Sequence, residues 1–491
     1  MMEKWNLSFE EKRIWISLGG SVLFSFLLAI LVILLDTRII TFVDYIPTWM
    51  LTSVDLAREI LSLLAGSLLT VATFTFATML TIITLYTSNF SPRAIENFLL
   101  NRTSMQTLGI FLGGFIYTLA SLFFMRSSED EYLVISATVA LVYALGAVFS
   151  FTRFIYTSSE YVQLEKLIHR LYAEASEVFD NYIQRFKDYP TVKHLPDMSF
   201  MYTYEVQATR SAYIEHISFD TLKAIADETE SNVIVSIRVG YFVTYGQPVL
   251  ELKTNQKLEE DMETITERVN QSFSYETEKS SMYDPDYART KLTEVALRAV
   301  SPGINDPNTA IHILKYKSLL EKRLAGLPGK YVIFHTDEDE TEEEVHLEQI
   351  HEEKYTPANK EKQQNEYTNS VFYRYNDFAE DLHTGYWQLV FYMQQDISGV
   401  NALFEAIETI AYATHEDNLG FVKEYNDYLY NMTSDNFNQP FDQNIIENNY
   451  ERIKAILKEK ESEYQAEKEV ADDDEPEEIT EEQIENEDKE D

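Results

Sequence analysis

Cysteine is absent from this 491-residue sequence, and basic residues are scarce. The lack of thiols excludes disulfides, thiolate zinc sites and a cysteine nucleophile. Forty Lys and Arg stand against 81 Asp and Glu, which gives a formal net charge of -41. Nucleic acids and anionic lipid headgroups are bound by clustered basic side chains. We therefore expect no nucleic-acid partner, and we keep a protein or a cation as the candidate partner of the acidic part.

The signature motifs of several enzyme classes are also missing. The sequence has no glycine-rich phosphate loop ending in Lys-Ser or Lys-Thr, no G-x-S-x-G elbow and no H-E-x-x-H zinc helix. The nine histidines are scattered, and the five-residue spacing of His346 and His351 places them on different helix faces. We predict no cofactor, no metal site and no catalytic residue, while a site assembled from distant residues keeps an enzyme open as an alternative.

Long apolar runs dominate the first third of the chain. Residues 14–35 carry no charge, and about 20 apolar residues suffice for a helix to cross a hydrocarbon core. Residues 60–87, 107–125 and 132–152 form three further runs of similar character. The sequence therefore predicts four transmembrane helices that lie in a lipid bilayer.

Positive charge near the ends of the spans predicts the orientation. Three groups on one side, including Lys12, Arg93 and Arg153, total eight basic residues, whereas the two loops on the other side carry three. Basic residues concentrate in cytoplasmic loops. We therefore predict a multi-pass protein of the plasma membrane with both termini in the cytoplasm.

Span two carries an unusual stripe of small and hydroxyl side chains. At about 100° per residue, one helix face holds seven such residues. They are Gly66, Thr70, Thr73, Ala77, Thr81, Thr84 and Ser88. One interpretation is close helix packing, for which Gly109 and Gly113 make span three the natural partner of span two. The other interpretation is that the stripe lines a hydrated path in a homo-oligomer.

The remaining sequence predicts a mixed α+β cytoplasmic domain. Composition and periodicity divide the chain into seven parts. They are a four-span domain (1–153), a helical connector (154–200), a small β subdomain (201–255), a helical subdomain (256–335), an acidic flexible insertion (336–369), a helical C-terminal subdomain (370–466) and a disordered acidic tail (467–491).

The β subdomain contains a run that resembles a turn of barrel-sandwich hybrid domains, the fold of biotinyl and lipoyl carriers. The run covers residues 239–250, and Gly240 and Gly246 are positioned to make tight turns between short strands. The attachment lysine motif of a carrier is absent, so the resemblance implies only a shape. We expect a small β-barrel-like subdomain here.

A second motif, Ser-Pro-Gly-Ile-Asn-Asp-Pro at residues 301–307, joins two predicted helices. Pro302 and Gly303 end the first helix, and Asp306 followed by Pro307 is typical of a helix cap and first turn. The structural interpretation is a tight helical hairpin. The functional interpretation is a ligand turn, with the polar groups of Ser301, Asn305 and Asp306 beside Gly303 favouring a cation or a polar molecule over phosphate.

Three segments together resemble a family of bacterial predicted membrane proteins called domain of unknown function 2254. They are residues 84–93 (Thr-Leu-Tyr-Thr-Ser-Asn-Phe-Ser-Pro-Arg), residues 296–307 around the hairpin turn, and residues 377–381 (Asp-Phe-Ala-Glu-Asp). The resemblance covers about residues 10–420 and implies an inner-membrane protein with four N-terminal spans. It implies no activity.

The first segment ends in a membrane-interface motif. It consists of Phe90, Ser91, Pro92 and Arg93. Ser91 and Pro92 are typical of a helix stop, and Arg93 is placed to reach lipid phosphates or the cytoplasmic domain.

Three functions remain open on the sequence alone. The first is an oligomeric channel-like or solute-conducting protein that is regulated by its cytoplasmic domain. The second is a non-conducting membrane-anchored sensor or scaffold, suggested by the acidic insertion and tail. The third is an enzyme of the membrane surface, with the turn at residues 301–306 as its site.

Overall fold

A computed structural model describes residues 9–39, 46–89, 102–125, 133–196, 200–258, 262–279, 283–335 and 369–473. The chain divides into two compact units after Arg170. We call them the helical unit and the mixed unit.

Four long helices make up the helical unit. They are α1 (Phe9–Asp36), α2 (Val54–Asn89), α3 (Arg102–Phe124) and α4 (Ser136–Val162). Each is long and apolar enough to cross a membrane, over Ile16–Asp36, Val54–Leu85, Thr103–Phe124 and Ser136–Glu160. The prediction of four apolar spanning helices is thereby confirmed by length and composition. The span in α2 begins six residues before the predicted 60, because Val54–Glu59 continues the same helix.

Gly109 and Gly113 of α3 pack against α1, whereas the sequence predicted that they pack against α2. A Cβ atom on Gly109 would lie 3.0 Å from the Leu18 carbonyl oxygen, and one on Gly113 would overlap Ser25. The two backbones therefore approach closely at these positions, as small residues allow in membrane helices. Helices α2 and α3 are nevertheless in contact, where Leu68 packs beside Phe111 and close to Gly114.

The beginnings of α2 and α4 are tied together by a short antiparallel ribbon. Strand β1 (Thr52–Ser53) pairs with β2 (Leu133–Val134). The carboxylate of Asp36, at the end of α1, accepts hydrogen bonds from the backbone N–H groups of Ile135 (2.8 Å) and Ser136 (3.3 Å). It thus satisfies donors at the start of α4 that have no partner within that helix.

Nine α-helices belong to the described part of the mixed unit, and the first of them, α5 (Leu164–Phe186), begins before the division at Arg170. The others are α6 (Phe219–Glu228), α7 (Met262–Gln271), α8 (Pro285–Ala299), α9 (Pro307–Ala325), α10 (Phe378–Met393), α11 (Ile397–Ala411), α12 (Glu416–Thr433) and α13 (Pro440–Asp473). Helix α13 extends to Asp473, so residues 467–473 of the predicted disordered tail are helical. The rest of that tail, and the acidic insertion up to residue 368, lie outside the described residues.

Nine strands form two sheets in this unit. They are β3 (Thr191–Val192), β4 (Tyr202–Gln207), β5 (Ala212–Ile217), β6 (Ser231–Val235), β7 (Phe242–Val243), β8 (Pro248–Thr254), β9 (Phe273–Glu276), β10 (Tyr331–Phe334) and β11 (Val371–Arg374). The larger sheet has the order β3-β10-β11-β6-β8-β4, and the smaller one has the order β7-β5-β9. Strand β11 is parallel to β6, whereas the other pairs are antiparallel.

The prediction of a small β-barrel-like subdomain is wrong. Its strands are divided between the two sheets, and neither described sheet closes into a barrel. The physical reason is that β6 is buried at all five positions and needs a neighbour on each side. It finds β8 nearby in sequence and β11 beyond the acidic insertion, from a range predicted to be helical.

Helices α8 and α9 form the helical hairpin that the sequence predicts. Asp284 caps α8 by accepting a hydrogen bond from the N–H of Asp286, and Asp306 caps α9 by accepting from the N–H of Thr309. Each cap is followed by proline in the first turn, where its missing N–H does no harm. The hairpin therefore has a defined start for both helices, and it carries the charged groups described below.

Candidate functional site

The stripe of small and hydroxyl residues on α2 lies on the outer face of the helical unit. Its described side chains, Gly66, Thr70, Thr73, Ala77, Thr81 and Thr84, are all exposed, while that of Ser88 is outside the described part. The opposite face is buried and carries Leu61, Leu68, Ala72, Thr75, Met79 and Ile82. The other three described spans therefore do not cover the stripe.

The stripe threonines bond to their own helix. The hydroxyls of Thr70, Thr73, Thr81 and Thr84 each donate to the backbone carbonyl four residues earlier, at 2.8 to 3.0 Å. A hydroxyl has one donor hydrogen and two acceptor lone pairs. Once the hydrogen is directed at the backbone, only acceptors are presented outward. The stripe is thus a row of weak oxygen acceptors rather than a row of donors.

The sequence also predicted a membrane-interface motif and a ligand turn, and the structure describes only the second of these. Phe90, Ser91, Pro92 and Arg93 lie outside the described residues. The turn at residues 301–306 forms the bend of the α8–α9 hairpin and is largely exposed.

The polar groups of this turn bond within the turn or to the adjoining helix ends. The Ser301 hydroxyl donates to the Arg298 carbonyl (2.7 Å), and the Asp306 carboxylate accepts from the N–H and the hydroxyl of Thr309 (3.3 and 2.6 Å). Asn305 has a φ of +52°, and Gly303 borders open space. These contacts are those of a tight hairpin, and the ligand turn stays a prediction.

A buried ionic network in the mixed unit was not predicted. We use the name for Arg238, Asp284, Asp286, Arg289, Lys317, Glu321 and Asp381. Their side chains come from the segment after β6, from α8, from α9 and from α10. All except Asp286 are nearly or completely buried. Buried charge is costly unless it is paired, so this concentration marks a special place in the fold.

Two arginines form the centre of the ionic network. Arg238 donates to both carboxylate oxygens of Asp381, at 2.8 and 2.7 Å. Arg289 donates to Glu321 (2.8 Å) and Asp286 (2.6 Å) and lies 3.3 Å from an oxygen of Asp381. The planar fork of a guanidinium suits such paired contacts. Each arginine therefore joins segments that are far apart in sequence.

Lys317 is completely buried, as is its partner Glu321. Its ammonium donates to Glu321 at 2.7 Å and lies 4.8 Å from the ring centroid of Tyr386. Gly385 permits this approach, because a Cβ there would be 3.1 Å from the Lys317 nitrogen. Burial lowers the pKa of Lys317, while Glu321 works in the opposite direction.

The carboxylates of the ionic network are held in different electrostatic environments. Burial, together with the nearby Asp286, raises the pKa of Asp284 to about 6, although Lys279 opposes the shift. Burial also acts to raise the pKa of Asp286, but Arg289 and Arg238 outweigh it and lower the pKa. Burial is the main cause that raises the pKa of Asp381. Burial thus shifts Asp284 and Asp381 toward the neutral form, whereas the two arginines hold Asp286 in its charged form.

A small cavity adjoins the ionic network. Arg238, Asp284, Asp286 and Asp381 line it, together with Tyr182 and other residues of the core. Its volume is about 20 Å3, and about 10 to 15 Å3 is enough for one water molecule. In the part of the chain that the structure describes, no group of three His, Cys, Asp or Glu side chains is arranged to hold a metal ion.

The helical pattern of the sequence indicates two of the buried charges in this network. Arg289 shares a helix face with Leu292 and Ala296, which are three and seven residues further on and buried. Lys317 likewise lies between Ile313 and Leu320 on a buried face. A charged residue on an apolar stripe predicts a buried charge, but it does not identify a partner. The partners come from other segments, and only the fold brings them together.

The fold defines this protein as a membrane protein with four apolar helices near its N-terminus, followed by a mixed α/β unit. Residues 11–359 match the family described as Predicted membrane protein (DUF2254), and the chain belongs to that family. The family resemblance seen in the sequence is thereby confirmed.

The relatives that the comparison identifies are distant. The chain is 20% identical over 274 residues to an uncharacterized protein of Mycobacterium bovis and, equally, to one of Mycobacterium tuberculosis. The match covers 55% of this chain and 53% of each relative, so the chain spans about half the length of these curated relatives. No solved structure matches the chain.

Proposed function

We propose that this protein is a channel-like homo-oligomer of the plasma membrane, in which α2 of each copy lines a hydrated path. The observation that supports this proposal is the exposure of the stripe at Gly66, Thr70, Thr73, Ala77, Thr81 and Thr84. Both termini face the cytoplasm in this proposal, in keeping with the eight basic residues on that side against three on the other. The mixed unit is then cytoplasmic and regulates the path.

The distribution of side chain sizes on α2 supports contact with another copy. Beside the stripe, the exposed surface of α2 carries large apolar side chains, including Leu69, Phe76 and Leu80. Such side chains suit lipid, whereas small and hydroxyl side chains suit the interior of an oligomer, where they face other copies or water. Membrane helices bury their small and hydroxyl residues against neighbours, and α2 exposes them in a single copy. A neighbouring copy therefore accounts for the stripe better than lipid does.

The hydroxyl geometry favours cations and water over anions. Since the hydroxyl hydrogens of Thr70, Thr73, Thr81 and Thr84 are directed at backbone carbonyls, the stripe offers oxygen lone pairs. Oxygen acceptors can replace part of the hydration shell of a cation. The net charge of -41 also raises the local concentration of cations.

The first test is the oligomeric state of the full-length protein in detergent, measured by mass photometry or light scattering. We expect a closed ring of three or more subunits, which is the geometry needed for a path between copies of α2. A monomer or a dimer contradicts the proposal. A membrane-anchored sensor or scaffold would then account better for the protein, with the stripe facing lipid.

The second test is planar-bilayer recording of Thr81→Leu, for which the chain offers a matched control. Thr152 is an exposed threonine on α4 whose hydroxyl also donates to its own helix, to Val148 at 3.1 Å. We expect Thr81→Leu to reduce cation conductance, because it replaces an acceptor in the path with a bulky apolar group. Thr152→Leu should leave conductance unchanged. Equal conductance in the wild type and both variants contradicts the proposed path.

A further inference from the structure

A second and larger cavity of the mixed unit is lined by residues outside the ionic network. Its volume is about 740 Å3. Pockets that bind small molecules measure about 300 to 1,000 Å3. One face of α7, strand β9 and the turn between β4 and β5 form its lining. The cavity is therefore large enough for a small organic molecule.

One buried asparagine, Asn270 of α7, fixes the walls of this cavity. Its side-chain oxygen accepts hydrogen bonds from the N–H (3.1 Å) and the hydroxyl (3.2 Å) of Thr209 and from the hydroxyl of Tyr275 (2.7 Å). Its amide nitrogen donates to the carbonyls of Gln207 (3.0 Å) and Thr266 (2.9 Å). Both donor hydrogens and the acceptor oxygen are thereby used. This side chain joins α7 to β9 and to the turn after β4, so the cavity is formed in advance of any ligand.

Arg210 brings a positive charge to this cavity. Its guanidinium lies over the ring of Tyr275, 5.4 Å from the ring centroid, in a cation–π contact. The side chain is exposed, and within the described residues it makes no ion pair and no hydrogen bond. Arg268, on α7 and outside the lining, is instead paired with Glu228. A guanidinium binds a carboxylate through two parallel hydrogen bonds, and the N–H groups of Arg210 are available for such a contact.

The same lining carries two carboxylates and several apolar side chains. Glu263 and Glu267 are exposed, lie one turn apart on α7 and make no ion pair within the described residues. Phe273 is buried, and Met262 and Tyr275 are half-buried. A purely anionic ligand would be repelled by the two carboxylates, and a purely cationic one by Arg210. The lining therefore complements a molecule that carries both charges and an apolar body.

We propose that this cavity binds a small zwitterion with an apolar body, the chemical class of the free amino acids with large apolar side chains. Arg210 binds the carboxylate of the ligand, and a glutamate of α7 binds its ammonium. Met262, Phe273 and Tyr275 contact its apolar body. This site goes beyond the proposed channel function and does not depend on it, because binding to the mixed unit is measured without any measurement of conductance.

Isothermal titration calorimetry of the full-length protein in detergent tests the class of ligand. The probes are phenylalanine and leucine, together with 3-phenylpropionate, which lacks the ammonium, and phenethylamine, which lacks the carboxylate. We expect saturable binding of at least one amino acid. Phenylpropionate and phenethylamine should bind at least about tenfold more weakly than phenylalanine, because each loses a charged hydrogen-bonded contact. If neither amino acid binds, or if phenylalanine and its two analogues bind equally well, the proposal is wrong.

Arg210→Gln tests whether the ligand occupies this cavity. It should weaken binding of the amino acid at least about tenfold, because the carboxylate loses its charged partner. Arg268→Gln removes the same charge from a residue outside the lining, and this control should bind as the wild type does. Since Arg210 is exposed and has no ion pair within the described residues, Arg210→Gln should also keep the wild-type midpoint of thermal unfolding. Wild-type affinity in Arg210→Gln overturns the proposal.

The ammonium side of the site is tested in the same way. Glu263→Gln and Glu267→Gln each remove one carboxylate from the lining, and at least one of them should weaken binding of the amino acid. Glu228→Gln, at the exposed partner of Arg268, is the matched control and should have no effect. Wild-type affinity in both lining variants would show that no carboxylate of α7 binds the ammonium, which also overturns the proposal.

Discussion

Arg238 and Asp381 are 143 positions apart in sequence and form a paired hydrogen-bonded contact in the buried part of the mixed unit, at 2.8 and 2.7 Å. Arg238 follows β6, and Asp381 lies in the first turn of α10. The pair therefore connects the sheet to the helices that follow the acidic insertion. Arg289 contacts the same carboxylate, so the contact also connects to the α8–α9 hairpin.

Removal of the carboxylate charge should be strongly destabilising. Asp381→Asn leaves the guanidinium of Arg238 buried without its closest counter-charge, and breaking one side of a buried pair costs about 3 to 5 kcal/mol. We expect a clearly lower midpoint of thermal unfolding for the purified full-length protein. Asp180→Asn is the control, because its ion pair with Arg323 is exposed and such pairs contribute about 0 to 1 kcal/mol. Similar midpoints for the two variants would contradict a structural role of the Arg238–Asp381 pair.

A methyl group at Gly385 should disturb Lys317. The added Cβ would be 3.1 Å from the Lys317 nitrogen and 3.3 Å from a Glu321 oxygen, in a region where neither side chain has room to move. We expect Gly385→Ala to destabilise the protein by about 1 to 3 kcal/mol, as overpacking does. Gly420→Ala, in α12 with open space around it, should instead be neutral or stabilising. Thermal unfolding of both variants tests this, and an unchanged midpoint for Gly385→Ala would show that the contact can relax.

The close approach of α1 and α3 leads to a matched prediction in the helical unit. A Cβ at Gly113 would overlap Ser25, which is buried and bonded to the Tyr143 hydroxyl at 2.8 Å. We expect Gly113→Ala to separate the two helices and to destabilise the unit by about 1 to 3 kcal/mol. Gly146→Ala, on α4 with nothing within 4 Å, is the control. Thermostability in detergent is the measurement, and equal effects of the two changes would argue against the described helix pairing.

Asp417 should make the mixed unit sensitive to strong acid. His415 is the main cause that lowers the pKa of Asp417, and the N–H of Gly329 and the ammonium of Lys193 add to it against the effect of burial. The pKa of Asp417 in the folded protein lies below its ordinary value of 3.8. The ionised Asp417 therefore stabilises the folded protein at any pH above 3.8. This stabilisation is lost as the pH falls below 3.8 and the carboxylate of the folded protein becomes protonated.

Asp417→Asn checks this sign. The variant should unfold at a lower temperature than the wild type near pH 7, and the difference should shrink as the pH falls below about 4. The wild-type carboxyl is then protonated and no longer differs in charge from the amide. A difference that stays constant down to low pH would mean that Asp417 acts through its shape rather than through its charge.

Features that depend on local pattern could be predicted from the amino-acid sequence. The four apolar runs, the stripe on α2 and the cap at Asp306 follow from hydrophobicity, helical period and capping preference, because each depends on residues within a few turns of one another. The hairpin of α8 and α9 follows in the same way from Pro302 and Gly303. The resemblance to the family rests on such local motifs too.

Contacts between residues that are far apart in sequence could not be predicted in this way and are seen only in the folded chain. Strand β6 takes β11 as a neighbour across the acidic insertion, and this pairing replaces the expected barrel. The partner of Gly113 is α1 rather than α2, because the facing surface, not the glycine alone, selects a helix. Arg238 meets Asp381 for the same reason. A periodic pattern shows which face of an element is buried, but pairing between elements depends on shape and charge that are assembled only when the whole chain folds.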